Sequence, residues 1–353
     1  MIIYTKNDAN NHSAIGRIET PIKMIIEHES DLLTKKGGIC SALFNVEKSS
    51  HFGETIIARR DFDVFQAAAE GEGAEIDTVY DVGKKFIEHV QFMKEFVITA
   101  EMMEDAENGV AAEAKRRAEN FTRAYYKTIN NLCSLALGNG NIASISYAKS
   151  TLDLTTFDGY PLFSKLHKVT VDGVSTEQSN NFWGNIFTAA GANGERVYST
   201  EAFEAALSEL SFKLRNMKSE TGEPLGYIAD TIILPGNRPM AEVITKKVCG
   251  TYGSLGSNLN DINVNFGNWN IVIMPTWTAL NDTCLIMSSE ANKSLSGNMF
   301  FNRVPLTVSS WVDHHTGNYI WNGRCRFGVG FGSYKHIIRA TDSQTSVLGA
   351  TQL

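Results

Sequence analysis

The clearest hydrophobic repeat in the chain predicts one long amphipathic helix over residues 108–137. Its apolar positions follow one another in steps of three and four, which is the repeat of a single helix face. They are Val110, Ala114, Ala118, Phe121, Tyr125, Ile129, Leu132 and Ala136. Gly138, Asn139 and Gly140 supply the expected stop. At about 1.5 Å per residue the helix would be ~45 Å long, which exceeds the width of an ordinary compact domain and favours an elongated subunit.

Residues 52–92 alternate between apolar and polar side chains, which predicts a long β-hairpin. The first strand is expected over residues 55–66 and a flexible tip over 67–73, followed by extended runs over 76–82 and 84–91. An isolated two-stranded ribbon is only marginally stable in water. We therefore expect the apolar face of the hairpin to be covered by its own domain or by a neighbouring chain.

Residues 199–294 carry the pattern of a separate α/β unit. A helix is expected to begin at Ser199 or Thr200 as N-cap and to bury one stripe of its surface. The stripe consists of Phe203, Leu207, Leu210, Leu214 and Met217. Two strands are expected to end before Pro235 and Pro275, because proline cannot continue a central strand ladder. The prediction is completed by a helix over 240–248, a mobile loop over 250–268 and a strand over 284–287.

The remaining segments are less regular. Residues 1–50 predict an arm that gains its order from neighbours, with a short strand or turn over residues 21–26 and a flexible joint over 35–38. A turn over residues 158–161 and a small hairpin over 169–174 follow the long helix. Extended structure returns over residues 305–312 and 319–331, and the tail from Thr341 is expected to be frayed.

The composition is that of an ordinary globular chain. Its 353 residues are 43% hydrophobic and 20% charged, which allows two or three packed units. The net charge of −7 argues against a direct grip on nucleic acid, which requires a basic face. Any nucleic acid would therefore be enclosed. The sequence has neither a signal-peptide pattern nor a run of about 18 apolar residues, so no membrane span is expected.

The cysteines predict a reducing setting. They are Cys40, Cys133, Cys249, Cys284 and Cys325, and no two of them are spaced as a metal or redox motif requires. An odd, scattered set of this kind is typical of reduced core residues in a cytosolic protein.

The order of the predicted parts is an arm, a long hairpin, a long helix, an α/β unit and a return of strands. This order resembles the major capsid proteins of tailed bacteriophages, which have the Hong-Kong-97-type fold. Three motifs carry the resemblance: residues 96–105 (FVITAEMMED), 159–167 (GYPLFSKLH) and 232–235 (IILP). The second is similar to the Mu-type branch of head proteins, and the third to the axial domain of the family.

The resemblance implies an α+β capsid fold with five parts. These are an N-terminal arm (1–50), an extended loop formed by the hairpin (51–95), a peripheral domain with a spine helix at about 101–137 (96–198), an axial domain (199–294), and a return to the peripheral domain with the tail (295–353). It implies a structural shell protein without enzymatic activity, which forms pentamers and hexamers of an icosahedral head.

The resemblance also implies partners and a location. The head would enclose double-stranded DNA without sequence-specific binding, and would be assembled in the host bacterial cytoplasm. Portal and decoration proteins are further expected partners. Many relatives carry a scaffolding segment that is cut away, and this chain opens on arm-like sequence instead, so a separate scaffolding protein or a removed segment is expected. Some relatives form Lys–Asn crosslinks; Lys84 and Lys85 lie near the hairpin but have no recognisable partner motif.

Three short motifs have residue types that could perform chemistry. In Asp313-His314-His315 the adjacent histidines would point to opposite faces of a strand, so a polar turn explains them better than a metal site. Residues 328–333 (GVGFGS) lack the dinucleotide-binding spacing and a following helix, so close strand packing explains them better. The Gly71-Glu72-Gly73 segment has acidic neighbours that would repel phosphate. We predict no catalytic, cofactor-binding or metal site.

Charged clusters on the long helix have similar explanations. Acidic residues near its start are stabilised by the helix dipole; they are Glu101, Glu104, Asp105 and Glu107. Basic residues further along would form a solvated face paired with Glu113 and Glu119, or would touch DNA on an inner wall; they are Arg116, Arg117, Arg123 and Lys127. Two alternative functions remain: an encapsulin-like compartment with an enzyme as cargo, and a cytosolic enzyme with a site around His314 or His167.

Overall fold

The computed structural model describes residues 3–4, 14–71, 73, 76–104, 112–171, 173–190, 196–250, 263 and 265–343. The chain divides into two units. Unit 1 consists of residues 1–54, 87–133 and 300–329, and unit 2 of residues 55–86, 134–299 and 330–353. No helix in the described ranges is long and apolar enough to cross a membrane.

The elements follow one another along the chain as a mixed α+β arrangement. The helices are α1 (Ala14–Lys36), α2 (Ile39–Leu43), α3 (Ala100–Glu104), α4 (Ala112–Gly138), α5 (Thr200–Arg215), α6 (Pro239–Val248) and α7 (Ser289–Ser294). The strands are β1 (Ile3–Tyr4), β2 (Asn45–Lys48), β3 (Gly53–Arg59), β4 (Asp81–Glu88), β5 (Val90–Ile98), β6 (Ser144–Tyr147), β7 (Ser150–Asp153), β8 (Lys168–Val171), β9 (Val174–Glu177), β10 (Asn181–Gly184), β11 (Thr188–Ala190), β12 (Arg196–Tyr198), β13 (Thr231–Pro235), β14 (Asn270–Met274), β15 (Thr283–Met287), β16 (Asn298–Val312), β17 (Tyr319–Phe331) and β18 (Ile337–Asp342).

Unit 1 is built on a sheet with the strand order β1-β16-β17-β5, to which β2 is added beside β16. Helices α1 and α4 cover one face of this sheet. The core between them consists of Ile22, Ile26, Ile98, Ala114, Ala118, Phe121, Leu306, Val308 and Trp321. The rings of Phe96 and Trp321 stack across β5 and β17, with their centroids 6.0 Å apart. Leu306, Val308 and Trp321 of this core lie on β16 and β17, the strands that form the extended segments predicted over residues 305–312 and 319–331.

The prediction of a strand or turn over residues 21–26 was wrong, because these residues lie inside α1. Ile22 and Ile26 are one helical turn apart and both are fully buried in the core of unit 1. The hydroxyl of Tyr126 on α4 lies 2.8 Å from the Ser30 hydroxyl. Pro21 lies inside α1, where a proline is unfavourable because it lacks the backbone N–H of the helical hydrogen bond. Burial of the isoleucine side chains outweighs that cost.

The long helix was predicted correctly over its described part. Helix α4 spans Ala112–Gly138, and the predicted start over residues 108–111 lies outside the described residues. The predicted stripe is buried at Ala114, Ala118, Phe121, Leu132 and Ala136. The predicted pairs also form, with Glu113 Oε1 3.2 Å from Arg117 Nε and Glu119 Oε2 3.8 Å from Arg123 Nη2.

Unit 2 is built on a second sheet with the order β10-β18-β15-β13-β14. The pairs β13–β14 and β10–β18 are parallel, whereas β15 is antiparallel to both of its neighbours. Helices α5 and α6 pack on the sheet through a core that includes Phe203, Leu207, Leu210, Leu214, Ile232, Leu234, Ile244, Val248, Ile286 and Ile338. The predicted helices and strands between residues 199 and 294 are present; the loop predicted over 250–268 lies mostly outside the described residues.

The predicted helix cap at Ser199 and the predicted small hairpin over residues 169–174 are both confirmed. The Ser199 hydroxyl oxygen accepts a hydrogen bond from the Ala202 amide at 3.2 Å, which caps α5. The small hairpin forms from β8 and β9, with Val171 opposite Val174 and Gly173 at a φ of 79°. A positive φ of this size favours glycine. Asp172 lies outside the described residues. The prediction of a frayed tail from Thr341 was wrong for Thr341 and Asp342, which are buried in β18, and the residues after 343 lie outside the described ones.

The long hairpin was predicted with strands that are too long. Strands β3 and β4 pair with each other, but residues 60–71, 73 and 76–80 belong to no strand. Side chains replace the ladder there: the Asp63 amide donates to Asp77 Oδ2 at 2.7 Å, and Arg60 Nη1 donates to Asp77 Oδ1 at 2.6 Å. Aspartate favours such local bonds over strand pairing. The alternating sequence therefore forms a short hairpin with a long connector, residues 60–80.

Candidate assembly surfaces

The connector exposes large apolar side chains that would be buried in an ordinary fold. Phe65 is fully exposed and Ile76 is 90% exposed. Phe62, Val64, Val79 and Tyr80 are exposed as well. Single exposed apolar residues are normal on protein surfaces, but a concentration of them marks a site of protein contact.

The two described glycines at the tip of the connector, Gly71 and Gly73, have open space around them. A Cβ atom added at Gly71 or Gly73 would have no described atom within 4 Å. Residues 61–71 are exposed throughout. The flexible tip that the sequence predicts is therefore uncovered in the isolated chain.

The base of the connector is fixed by charge. The hydrogen bonds from the Asp63 amide and the Arg60 guanidinium hold the pKa of Asp77 below its ordinary value. The same contact with Asp77 raises the pKa of Arg60. Elsewhere the connector is acidic: six acidic residues stand against Arg60 as the one basic residue in the sequence 60–80. The connector thus combines negative charge with exposed aromatic rings.

A second exposed surface lies on the sheet of unit 1, on the face opposite α1 and α4. Met93 and Val97 of β5 are exposed there, opposite Arg324 and Ile320 of β17 in the strand register. Trp311 of β16 is also exposed, while Leu306 and Val308 on the other face are buried. We call Met93, Val97, Trp311, Ile320 and Arg324 the exposed sheet face. It combines apolar side chains with two exposed charges, those of Arg324 and of Glu95, which lies between Met93 and Val97 on β5.

The Asp313-His314-His315 motif forms a turn between β16 and β17. The Asp313 carboxylate accepts hydrogen bonds from the Thr316 hydroxyl at 2.7 Å and the His315 amide at 3.1 Å. These two bonds lower the pKa of Asp313. Both imidazoles are exposed. No group of three or more potential metal ligands occurs in the described part of the chain.

His167 is fully buried and has partners for both ring nitrogens. Nδ1 lies 2.6 Å from Asp158 Oδ2, and Nε2 lies 3.2 Å from the Leu162 carbonyl oxygen. The ring stacks on Tyr334 with a centroid distance of 3.8 Å. Burial alone would raise the pKa of Asp158, but the hydrogen bond and charge of His167 outweigh it and lower the pKa. The arrangement cross-links unit 2 internally and leaves no ring nitrogen for a substrate.

The glycine-rich segment over residues 328–333 allows close backbone approach. A Cβ atom at Gly328 would lie 2.8 Å from the Glu88 carbonyl oxygen, and one at Gly332 would collide with the Ser296 carbonyl oxygen. Only glycine fits at these positions. The close strand packing suggested by the sequence accounts for them without a phosphate.

Three arginines of α4 form ion pairs with acidic residues of unit 1. Arg116 and Arg117 contact Glu113, whose pKa they lower, and Arg123 Nε lies 2.5 Å from Glu29 Oε1. Lys127 is exposed. At the start of the helix, Glu101 is exposed in α3, while Asp105 and Glu107 lie outside the described residues. The paired arginines form the solvated face that the charge pattern predicts.

The two lysines near the hairpin differ in a way that the sequence did not reveal. Lys85 Nζ is buried, 2.5 Å from Asp153 Oδ2 and 2.7 Å from the Thr155 hydroxyl. Lys84 is exposed and lies 3.3 Å from Asp81. The partner of Lys85 is 68 residues away in the sequence, so no local signal could have indicated it.

Comparison with known proteins identifies the fold. No family model and no curated protein matches this sequence. The structure is similar to a chain in the capsid structure of cyanophage P-SCSP1u, with a TM-score of 0.50 and 8% identity over 87% of this chain and 88% of that one. It is equally similar to a chain in the capsid of Myoviridae phage XM1, with a TM-score of 0.50 and 14% identity over 86% of this chain and 92% of that one. The chain has a phage capsid fold. The capsid fold spans both units, because each match covers most of the chain.

Proposed function

We propose that this chain is a major capsid protein, which self-assembles into the closed shell of a phage head. The observation that carries the proposal is the connector, whose aromatic and aliphatic side chains have no cover in the isolated chain. Burial of such surface is the main driving force of protein association. The similarity of the fold to phage capsid chains supports the same conclusion.

The connector and the exposed sheet face have complementary properties. The connector is acidic and aromatic, while the sheet face presents Met93, Val97 and Trp311 beside Arg324. Opposite charges around apolar contacts favour one docking register over others. We infer that the connector of one copy lies on the exposed sheet face of a neighbouring copy. Each copy then provides and receives the same contact, which is the head-to-tail arrangement that closes rings.

The parts of the capsid fold would divide the work of assembly. In this proposal residues 51–95 act as the extended loop, residues 96–198 with α4 as the peripheral domain, and residues 199–294 as the axial domain that meets its copies in pentamers and hexamers. Residues 1–50 would be the arm, and residues 295–353 would return to the peripheral domain. Many modest contacts add up to a stable closed lattice, since each copy is held at several sites at once.

The shell would enclose double-stranded DNA rather than bind it by sequence. The net charge of −7 and the internal pairing of Arg116, Arg117 and Arg123 support a wall without a strong grip on phosphate. Scaffolding, portal and decoration proteins, and assembly in the host cytoplasm, belong to the proposal as well. The proposed role is structural rather than enzymatic.

The test is assembly of the purified chain with and without the connector tip. We expect the wild-type chain to form megadalton particles, seen by negative-stain electron microscopy and mass photometry. Deletion of residues 68–74, or the double substitution Phe62→Ser and Phe65→Ser, should leave a soluble subunit whose particle yield is at least about tenfold lower. Leu166→Ser with Val174→Ser is the matched control, because both side chains are exposed elsewhere in unit 2.

Three outcomes would count against the proposal. A wild-type chain that remains a compact monomer or dimer contradicts a shell function. Normal particle yield after deletion of residues 68–74 contradicts the role of the connector. Particles that hold a co-purifying enzyme would favour an encapsulin-like compartment over a phage head.

A further inference from the structure

Two of the five cysteines lie together in unit 1, although they belong to helices that are far apart in the sequence. The Cys133 thiol of α4 forms a side-chain hydrogen bond with the Cys40 thiol of α2. Both side chains are buried, with exposed fractions of 0% for Cys133 and 6% for Cys40. Both thiols are free in this structure. We call Cys40 and Cys133 the dithiol pair.

The backbone of α2 independently places Cys40 beside this part of α4. The Cys40 amide donates to Asn130 Oδ1 at 3.4 Å. Asn130 precedes Cys133 by one helical turn, so the two side chains lie on the same face of α4. A Cβ atom at Gly38 would lie 2.5 Å from Asn130 Oδ1, so only glycine allows α2 to approach α4 this closely.

The third cysteine of unit 1 has a different kind of contact. Cys325 is buried on β17, and its Sγ donates to the Phe92 carbonyl oxygen at 3.6 Å. Burial in unit 1 therefore does not by itself bring a thiol against another thiol. Cys325 provides a matched control for the dithiol pair.

We propose that the dithiol pair is an oxidation site, which closes to a disulfide between α2 and α4 of the same chain under oxidising conditions. A reducing cytosol keeps such thiols reduced, whereas the medium outside a cell allows disulfides to persist. The reaction itself does not depend on assembly. Its timing, after release of a finished particle from the host, rests on the proposed shell function.

The reaction needs an oxidant, which a small disulfide such as oxidised glutathione supplies. Cys40 is the first nucleophile, because it lies on a helix of only five residues whose local opening exposes it. Its thiolate attacks one sulfur of the small disulfide and releases one small thiol. The Cys133 thiolate then displaces the second small thiol. Two protein thiols are thus oxidised, and the small disulfide is reduced to two thiols that carry both protons.

Burial makes this oxidation slow while α2 remains packed on α4. Desolvation, and then the hydrogen bond from Cys40, raise the pKa of the Cys133 thiol. Only the thiolate is the nucleophile in disulfide exchange, so few closed molecules react at any moment. We therefore expect the pair to remain reduced during brief exposure to an oxidant and to close on prolonged exposure.

The bond would tie together the two ends of the segment that carries the connector. It would close a loop over residues 41–132, which contains β2 to β5 and the connector. A disulfide stabilises a protein mainly by restricting its unfolded chain, and the effect grows with the length of the loop. Because the two thiols already meet in the folded chain, the bond requires only a small shift of α2.

The first test identifies the bond chemically. The full-length chain is incubated with oxidised glutathione at about pH 8, unfolded and alkylated. We expect its intact mass to fall by two hydrogen atoms before alkylation, two of the five cysteines to escape alkylation, and peptide mapping to find Cys40 linked to Cys133. Cys133→Ala should show no such loss, whereas Cys325→Ala should form the same bond as the wild type.

The second test measures what the bond does. The oxidised wild-type subunit should melt about 5 °C or more above its own reduced form. The same shift should appear in Cys325→Ala and should be absent in Cys133→Ala. Each variant is compared with its own reduced form, so a loss of packing caused by the substitution cancels.

The inference is overturned if prolonged oxidation leaves all five thiols free to alkylate in both the subunit and the particle. It is also overturned if Cys40 or Cys133 pairs with Cys325 or with another chain, or if the oxidised subunit is no more stable than the reduced one. These results would leave the proposed shell function intact. A chain that forms the bond but no particles would instead contradict the shell function and support the oxidation site.

Discussion

The connector and the segment between β14 and β15, residues 275–282, which we call the Leu280 loop, both expose large apolar side chains, but they present them in opposite ways. The connector has a charged clamp only at its base, where Arg60 meets Asp77, and Gly71 at its tip has open space around it. The Leu280 loop is bonded along its backbone by Asn237 and Arg238. A loosely held segment can adapt to a surface, but it loses conformational entropy when it binds. A segment whose backbone is already fixed loses less entropy and suits a single binding geometry.

This difference suggests two kinds of contact in the proposed shell. An adaptable connector suits an interface whose geometry differs between pentamers and hexamers. A rigid anchor suits a contact that is the same around every ring. Substitutions that loosen the Leu280 loop or the root of the connector should therefore have different effects.

The largest effect is expected from Arg238→Met, which removes one of the two side chains that hold the Leu280 loop. The substitution leaves the Ala279 and Leu280 carbonyl oxygens without this donor and the buried Asp282 without its cationic neighbour. We expect the free energy of unfolding of the subunit to fall by about 2 kcal/mol, because two carbonyl oxygens lose a charged hydrogen-bond donor while Asp282 keeps its bond from the Tyr198 hydroxyl. Urea denaturation of the unassembled subunit measures this change.

Two controls separate the clamp from charge in general. Arg116→Met removes an exposed arginine that forms a surface ion pair with Glu113, so it should change the free energy of unfolding by less than about 1 kcal/mol. Arg238→Lys keeps the charge but loses the planar fork that bonds two carbonyl groups. If Arg238→Lys is as stable as the wild type, the fork is not what holds the loop.

A smaller effect is expected at the root of the hairpin. Lys85→Met should lower the free energy of unfolding by about 1.5 kcal/mol, the usual value of a hydrogen bond to a charged group. The effect is limited because the side chain of Asp153 is 62% exposed and regains water when Lys85 is lost. Thermal unfolding followed by circular dichroism measures it.

The matched control for this change is the neighbouring residue. Lys84→Met alters the same charge at an exposed position and should leave the melting temperature within about 1 °C of the wild type. Equal losses for the two variants would mean that burial of Lys85 does not anchor the root. The connector would then be loosely held over its whole length.

The sequence predicted those elements whose signal is local. The repeat of α4, the Ser199 cap and the strands that end at Pro235 and Pro275 each depend on residues within a few positions of one another. The helical state of residues 21–26 could not be predicted, because it depends on contacts with α4 about 95 residues away, such as the Ser30–Tyr126 hydrogen bond. Strand-like alternation in the connector was misleading, since Asp63 and Asp77 replaced ladder bonds with side-chain bonds.

Of these two exposed surfaces, the sequence predicted the connector but not the Leu280 loop. An apolar face on the hairpin was expected to need cover, and the exposed rings of Phe62 and Phe65 agree with that. The Leu280 loop gave no signal, because its clamp joins Asn237 to Ala279 across 42 residues. An exposed leucine is recognisable as an anchor only when the bonds that hold its backbone are known.

The smallest effect concerns the clamp at the base of the connector and its dependence on pH. The pKa of Asp77 is lowered in the folded chain, chiefly by the Asp63 amide and then by Arg60, from an ordinary value of 3.8. An acidic group whose pKa is lower in the folded than in the unfolded state stabilises the fold fully at a pH above its unfolded-state pKa. This stabilisation is lost as the pH falls through the folded-state pKa. Hydrogen–deuterium exchange of the Asp63 amide, corrected for intrinsic rates, should therefore be constant from pH 7 to about pH 5 and should accelerate only below about pH 4.

Asp77→Asn should accelerate exchange at every pH, whereas Asp61→Asn, an exposed acid on the same connector, should not. Equal exchange in both variants would mean that the connector is unclamped at its base, and the contrast with the Leu280 loop would then extend along its entire length.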